Sequence, residues 1–152
     1  MVKVLISGGQ TGADRAALDF ALEYGFEIQG YCPGGRRADD GTIDEKYPLL
    51  ETKTSAYPPR TRLNVKIAQA TVIFNGLPEF SKGTHTTLKY ARNHHKKYIV
   101  LKNFPDVEKD AKELKIWLKD VNPESLNVAG NGEGKCPGIY IHVFNVLRKV
   151  LL

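Results

Sequence analysis

The sequence predicts a single three-layer α/β domain with about five mainly parallel strands. Three observations carry that expectation. Short, β-rich apolar runs recur at Val2–Ser7, Glu27–Tyr31, Thr71–Asn75, Tyr98–Lys102 and Leu126–Ala129. Segments with apolar residues at three- and four-residue spacing lie between them. Glycine-rich stretches follow the runs. Alternation of this kind means βαβ crossover units, and unbroken apolarity means strands covered on both faces.

Taken in order, the run at Val2–Ser7 passes through Gly8-Gly9-Gln10-Thr11-Gly12 into a helix with Ala17, Leu18, Ala21 and Leu22 on one face. The run at Glu27–Tyr31 opens into Cys32-Pro33-Gly34-Gly35-Arg36-Arg37. Residues 32–60, with CPGGRRADDG, YP and YPPR, show no helical pattern. A loop of that length in a compact domain is functional or flexible. The third strand, Thr71–Asn75, is followed by Ser81-Lys82-Gly83-Thr84-His85-Thr86-Thr87. Tyr98–Lys102 is the fourth strand, and Val107, Ala111, Leu114, Leu118 and Val121 stripe the helix after it. Leu126–Ala129 is the fifth, leading into Gly130-Asn131-Gly132-Glu133-Gly134-Lys135. Ile139, Val143, Val146, Leu147 and Val150 then give the last helix its apolar face. The expected strand order is 2-1-3-4-5, the flavodoxin-like form of a Rossmann-like sheet. No repeat or linker interrupts residues 1–152, so one domain is expected.

Composition narrows the function classes. A hydrophobic content of 41% with 26% charged residues describes an ordinary globular chain. No apolar stretch reaches membrane-spanning length and the start lacks a signal peptide's apolar region, so the cytoplasm is the expected compartment. Two cysteines, Cys32 and Cys136, are too few for a disulfide scaffold. The net charge of +5 favours anionic partners. Lys109, Lys112, Lys115 and Lys119 read as a solvated helix face rather than a nucleic-acid footprint, so no nucleic acid is expected.

In an open parallel sheet, ligands bind beyond the carboxyl ends of the strands. Here nearly every strand ends in glycine on that side. Such loops bring backbone N–H groups close to an anion, and the following helix adds its positive dipole end. Gly8, Gly9, Gln10, Thr11 and Gly12 form one candidate cradle. Gly35 and Arg36 form a second, Gly83, Thr84 and Thr87 a third, and Gly130 begins a fourth. Arg36, with Arg60 next, is the expected charged contact to phosphate. The first loop is neither a Walker A motif nor GxGxxG, so neither ATP hydrolysis nor dinucleotide binding follows from it.

SGGQTGADRAALDFAL, YCPGGRRADDG, YPL, RTRLNV, KGTHTT and LNVAG…PGIY together resemble the putative molybdenum carrier family. That family belongs with Rossmann-like proteins that include the lonely guy phosphoribohydrolases and DprA. The resemblance implies a phosphate-bearing, nucleotide-like ligand, the pterin molybdenum cofactor among the possibilities. It also implies that Arg15, Arg60 and Asn64 belong to the site. Where the family pattern has a Ser-Asp pair before the third strand, this chain has Ala68-Gln69. Lys82 replaces the first glycine of a GGT motif, and Asn131, Gly132 and Gly134 stand in place of a Pro-Arg-Glu-Ser stretch. These departures imply a lost carboxylate and cation at the site, and an altered ligand.

The phosphoribohydrolases pair an arginine with a glutamate near PGGxGTxxE, but here no acid follows Gly83-Thr84-His85-Thr86-Thr87. Glu133, Asp14 and His85 remain as acid–base candidates. Asp14 has an equal claim to favour the first turn of its helix, and Asp39 and Asp40 to shape a turn with Gly41. His94 and His95 are adjacent, point apart on a helix, and make no metal pair, so no protein-ligated metal is expected. No nucleophile–base pair can be assembled from spacing. The expectation is therefore a carrier for an anionic small molecule, with a nucleotide hydrolase as the alternative. A homodimer is expected, from the resemblance and from exposed aromatics around Tyr57 and Phe80.

Overall fold

The computed structural model describes all 152 residues. Five parallel strands form the central sheet: β1 (Val4–Ile6), β2 (Glu27–Gln29), β7 (Ala70–Phe74), β8 (Lys97–Leu101) and β9 (Ser125–Gly130). Their spatial order is β2-β1-β9-β7-β8. Leu5 pairs with Ile28 on one side and Leu126 on the other, and Val72 lies between Val128 and Ile99. Every residue of β7 is buried, which is what a strand covered on both faces requires. β2, at an edge, leaves Glu27 and Gln29 exposed.

The order corrects the expected one. Counting only these five strands along the chain, it reads 2-1-5-3-4 rather than 2-1-3-4-5. The last strand enters the centre of the sheet, beside the first. Counting that final strand–helix unit first turns the order into 3-2-1-4-5, the doubly wound Rossmann arrangement. The point where the winding reverses then falls between β9 and β7.

Helices α1 (Ala13–Tyr24), α4 (Val107–Val121) and α5 (Ile139–Leu151) pack together on one face, and α2 (Tyr57–Ile67) packs with α3 (Lys82–Asn93) on the other. The main core lies under the first layer. Ala13, Ala16, Ala17, Phe20 and Ala21 of α1 meet Val72 and Phe74 of the sheet and Val143 and Val146 of α5. Small residues on α1 let it lie close to the strands, while Leu22, expected on its inner face, is 46% exposed. Beneath α2 and α3 the sheet is more polar: Asn127 donates to Thr71 across β9 and β7, both buried.

Residues 32–56 are ordered without long elements. β3 (Tyr31–Cys32) pairs in parallel with β6 (Leu50–Glu51), and β4 (Arg37–Ala38) pairs antiparallel with β5 (Gly41–Thr42). Cys32, Ala38, Ile43, Tyr47 and Leu49 close a small second core against Leu18. YPPR, expected to be loop, instead starts α2. Pro58 and Pro59 occupy its first turn, where a missing N–H costs nothing. Tyr57 and Phe80 are half-buried: the Arg37 guanidinium lies 4.4 Å from the Tyr57 ring centre and the Lys102 ammonium 6.0 Å from that of Phe80. Both rings are thus only partly exposed, each beside a cation. No helix is long and apolar enough to cross a membrane.

Candidate functional site

At the carboxyl ends of β1, β9 and β7, where the winding reverses, a cleft of about 310 Å³ opens beneath α2 and α3. The loops after these strands wall it because the last strand sits in the centre. Gln10 lines it from the first loop and Asp14 from the first turn of α1, Gly130, Asn131, Gly132 and Lys135 from the last loop, and Ser81 to Thr84 with Thr86 and Thr87 from the start of α3. Tyr57, Arg60 and Thr61 of α2 close the remaining side, with Asp39 at the rim.

α3 begins at a capped end. The Ser81 side chain accepts from the Thr84 amide at 3.2 Å, so one orphan donor of the first turn is satisfied within the protein. The Lys82 and Gly83 amides keep no protein acceptor. A Cβ on Gly83 would meet only the Ser81 hydroxyl within 4 Å, so that side of the helix faces open space. Asn131 fixes the opposite wall: its side chain accepts from the Gly76 amide at 2.7 Å and donates to Asn75 at 3.3 Å and Ser81 at 3.4 Å.

Arg60 and Asp14 form the buried charge pair of the cleft, with Arg60 Nη1 3.5 Å from Asp14 Oδ2. Asp14 also accepts from the Gln10 amide at 3.2 Å. Burial raises the Asp14 carboxyl above its ordinary value even though Arg60 and the Gln10 amide pull it down. Arg60 lies 5.4 Å from the Tyr57 ring centre, and its Nε is buried without a hydrogen-bond partner. Its guanidinium fills the space a Cβ on Gly8 would need, which is why residue 8 carries no side chain.

Several expected contacts do other work. Most amides of the first loop are bonded within the protein rather than free as a cradle. The Gly9 amide is bonded to Ser7 Oγ, Gln10 to Asp14, Thr11 to the Gln10 side chain, and Ala13 to the Asn131 carbonyl. Gly9, at φ 80°, packs against Ile43 and Leu49. Gly12, at φ 81°, caps α1 without help from a side chain and lies where a Cβ would strike the Asn131–Glu133 backbone. The Thr11 hydroxyl beside it accepts from the Glu133 amide at 3.3 Å. Arg15 donates to both oxygens of Asp40, at 2.8 and 3.1 Å, and to the Gly9 carbonyl.

Arg36 is turned inward. Its guanidinium commits four of its five N–H donors to the carbonyls of Ile43, Asp44, Tyr47 and Leu49, and it does not line the cleft. Gly35 bonds to Glu51 nearby, outside the cleft. Asn64 pins β3 to α2 through both the amide and the carbonyl of Tyr31. Glu133 accepts from the Gly138 amide at 2.7 Å and the Tyr140 amide at 2.9 Å, so it caps the start of α5, and it does not line the cleft. His85 is exposed, edge-on to Phe80, and does not line the cleft. Gly83, Thr84, Thr87 and Gly130 do line it.

Among the family departures, Ala68-Gln69 lies at the amino end of β7, where Gln69 bonds to Glu124 and Ser125. That exchange removes nothing from the cleft. Lys82, Asn131 and Gly132 do line it. Ser81, Thr61, Tyr57 and Lys135 escaped sequence reasoning as site residues. Only Ser81 left a local signal, a capping serine just ahead of a helix. No three His, Cys, Asp or Glu side chains gather into a metal-binding group. Cys32 and Cys136 are free and buried in separate cores, and burial raises both thiols.

The fold defines a permuted Rossmann-like domain with a cleft at its switch point. The chain belongs to the circularly permutated YpsA SLOG family, whose model matches residues 5–151. The crystal structure of a putative molybdenum carrier protein from Syntrophus aciditrophicus SB superposes with a TM-score of 0.94 at 35% identity, over 99% of this chain and 96% of that one. No curated protein is significantly similar.

Proposed function

We propose that this chain binds and carries a phosphate-bearing, nucleotide-like small molecule in the cleft at the start of α3. The observation that carries the reading is the pair of unpartnered amides at Lys82 and Gly83, set beside Arg60, the Lys82 and Lys135 side chains, and the hydroxyls of Ser81, Thr84 and Thr86. A helix N-terminus supplies partial positive charge and directed donors, lysines add full charge, and hydroxyls adapt to either donor or acceptor. The name of the Syntrophus neighbour supports a molybdenum cargo. The donor set suits an anion: the phosphate of the molybdenum-bearing pterin, or the molybdate oxyanion, and not a bare cation.

Native mass spectrometry of freshly purified protein, with elemental analysis, tests the cargo. Thermal shift with phosphate, molybdate and nucleoside monophosphates tests the site. A stabilising shift that disappears in Lys82→Ala/Lys135→Ala supports the reading, and no shift with any of these anions overturns it. Homodimerisation belongs to the same proposal, and a concentration-independent monomer in light scattering refutes that part.

A nucleotide hydrolase is the second reading, supported by the raised, buried Asp14 carboxyl in the cleft. Release of free base or ribose phosphate from nucleoside monophosphates, lost in Asp14→Asn, would establish it.

A further inference from the structure

The net charge of this chain is unevenly placed. Residues 52–105 carry ten lysines and arginines against one carboxylate, Glu79, while the rest of the chain carries twelve against sixteen. Residues 52–105 supply both helices of one layer, α2 and α3, and neither helix contains an acid. The lysines of α4, by contrast, are matched by Glu108, Asp110, Glu113 and Asp120 in the same helix. Six of the ten cations lie on α2 and α3 themselves, so most of the excess belongs to this layer.

On α3, Lys82, His85, Lys89 and Arg92 recur at three- and four-residue spacing, and all are exposed. They form a stripe about 15 Å long at the helical rise. Arg62 and Lys66, one turn apart and exposed on the neighbouring α2, run beside it. None of these side chains has a carboxylate partner; the ion pairs of the chain lie elsewhere, apart from Arg60 with Asp14 inside the cleft. Half-buried Tyr90 and Tyr98 border the stripe, and the Arg92 guanidinium lies 5.9 Å from the Tyr98 ring centre.

We infer that the α2–α3 face is a docking surface for the phosphodiester backbone of a single-stranded nucleic acid, running away from the cleft, with which the stripe shares only Lys82. Uncompensated charge of one sign along a helix attracts a polyanion by counterion release. The composition separates a nucleic acid from an acidic protein: protein interfaces are poor in lysine and rich in apolar anchors, whereas this face offers lysines and arginines bordered by rings on which bases can stack. A backbone contact predicts affinity without sequence preference.

The test is fluorescence anisotropy with labelled twenty-nucleotide oligo-dU and oligo-U, which differ only at the sugar, across a salt series. Expected is binding at low salt that weakens steeply as salt rises. Lys66→Gln/Lys89→Gln/Arg92→Gln, which leaves the cleft intact, should lose at least about tenfold in affinity and lower the salt slope by about 2. Lys112→Gln/Lys115→Gln/Lys119→Gln on α4 should stay within about twofold, since it leaves the proposed contacts in place. Equal affinity for the two oligomers assigns the shared backbone, and a preference for one identifies the sugar read. No binding at low salt overturns the inference, as does an equal loss in both triple variants. Tighter capture of polyglutamate than of either oligomer also overturns it, in favour of an acidic protein. The phosphate-induced thermal shift of each variant reports the cleft separately, so failure of one site is distinguishable from failure of the other.

Discussion

At the residue scale, the cleft joins an anion-attracting helix end to a carboxyl held beside an arginine. Asp14 opposes an incoming anion when ionised, and its pKa lies above the ordinary value because burial outweighs Arg60. Sulfate keeps its charge across the acid range, so its affinity should rise as pH falls from neutral through the raised Asp14 pKa. Asp14→Asn should flatten that profile, and an unchanged profile in isothermal titration would remove Asp14 from the site. Stability follows the same group. Between its unfolded and folded pKa values the native state binds more protons, so this contribution falls as pH rises. Gly83 gives a second prediction. It sits within α3, where alanine is favoured over glycine by about 0.5–1 kcal/mol, and a Cβ there projects into open space. Gly83→Ala should raise the melting temperature by a few degrees while weakening phosphate binding.

At the element scale, two residues that look catalytic or phosphate-binding on paper are fasteners. Glu133 holds the start of α5 by both carboxylate oxygens. Glu133→Ala should cost about 1–2 kcal/mol in urea denaturation and leave sulfate affinity unchanged. Arg36 ties together the turn from Ile43 to Leu49 through four backbone carbonyls. Loss of charged donors to buried carbonyls costs about 1–3 kcal/mol, and here the cost falls on one segment. Arg36→Ala should therefore open residues 43–49 to limited proteolysis before the rest of the chain, with anion binding intact. A third fastener joins two helices: His142 of α5 meets Asp110 of α4 at 2.7 Å, both buried. Asp110 also accepts twice from Asn103, so His142→Leu should leave a buried carboxylate short of one partner. About 2–3 kcal/mol lost in urea denaturation is expected.

At the scale of the whole molecule, the permuted sheet order decides where chemistry gathers. Because β9 lies between β1 and β7, the loop carrying Gly130–Lys135 stands directly beside the first glycine loop. Gly12 is the seam. Its positive φ and the backbone of Asn131–Glu133 leave no room for a side chain. Gly12→Val should abolish soluble folded protein, a harsher outcome than any substitution in the cleft itself. The same arrangement separates charge, with acids concentrated outside the α2–α3 layer and the cleft opening beneath the basic one. That field should speed capture of anions and make the association rate fall steeply with salt in stopped-flow measurements.

Local chemistry made most of the scaffold legible. The five apolar runs are the five strands of the sheet, and the stripes on α4 and α5 face the core as periodicity named them, with Leu114, Val143, Val146 and Leu147 fully buried and Val107, Leu118, Val121 and Val150 half-buried at its margin. Strand and helix follow from spacing because each is set by neighbours a few residues away. The KGTHTT segment was likewise readable as a helix start on the ligand side of the sheet. What spacing could not reveal was partnership. Arg36 and Arg60 are both arginines in suggestive motifs, yet one is consumed by carbonyls and the other faces a cleft, and only the folded chain brings those partners near. Lys135 and Ser81, far apart in sequence, meet across the cleft because the last strand of the chain is placed in the middle of the sheet. Strand order is a long-range choice settled by packing of whole βα units, so the composition of the site was decided by the tertiary structure alone.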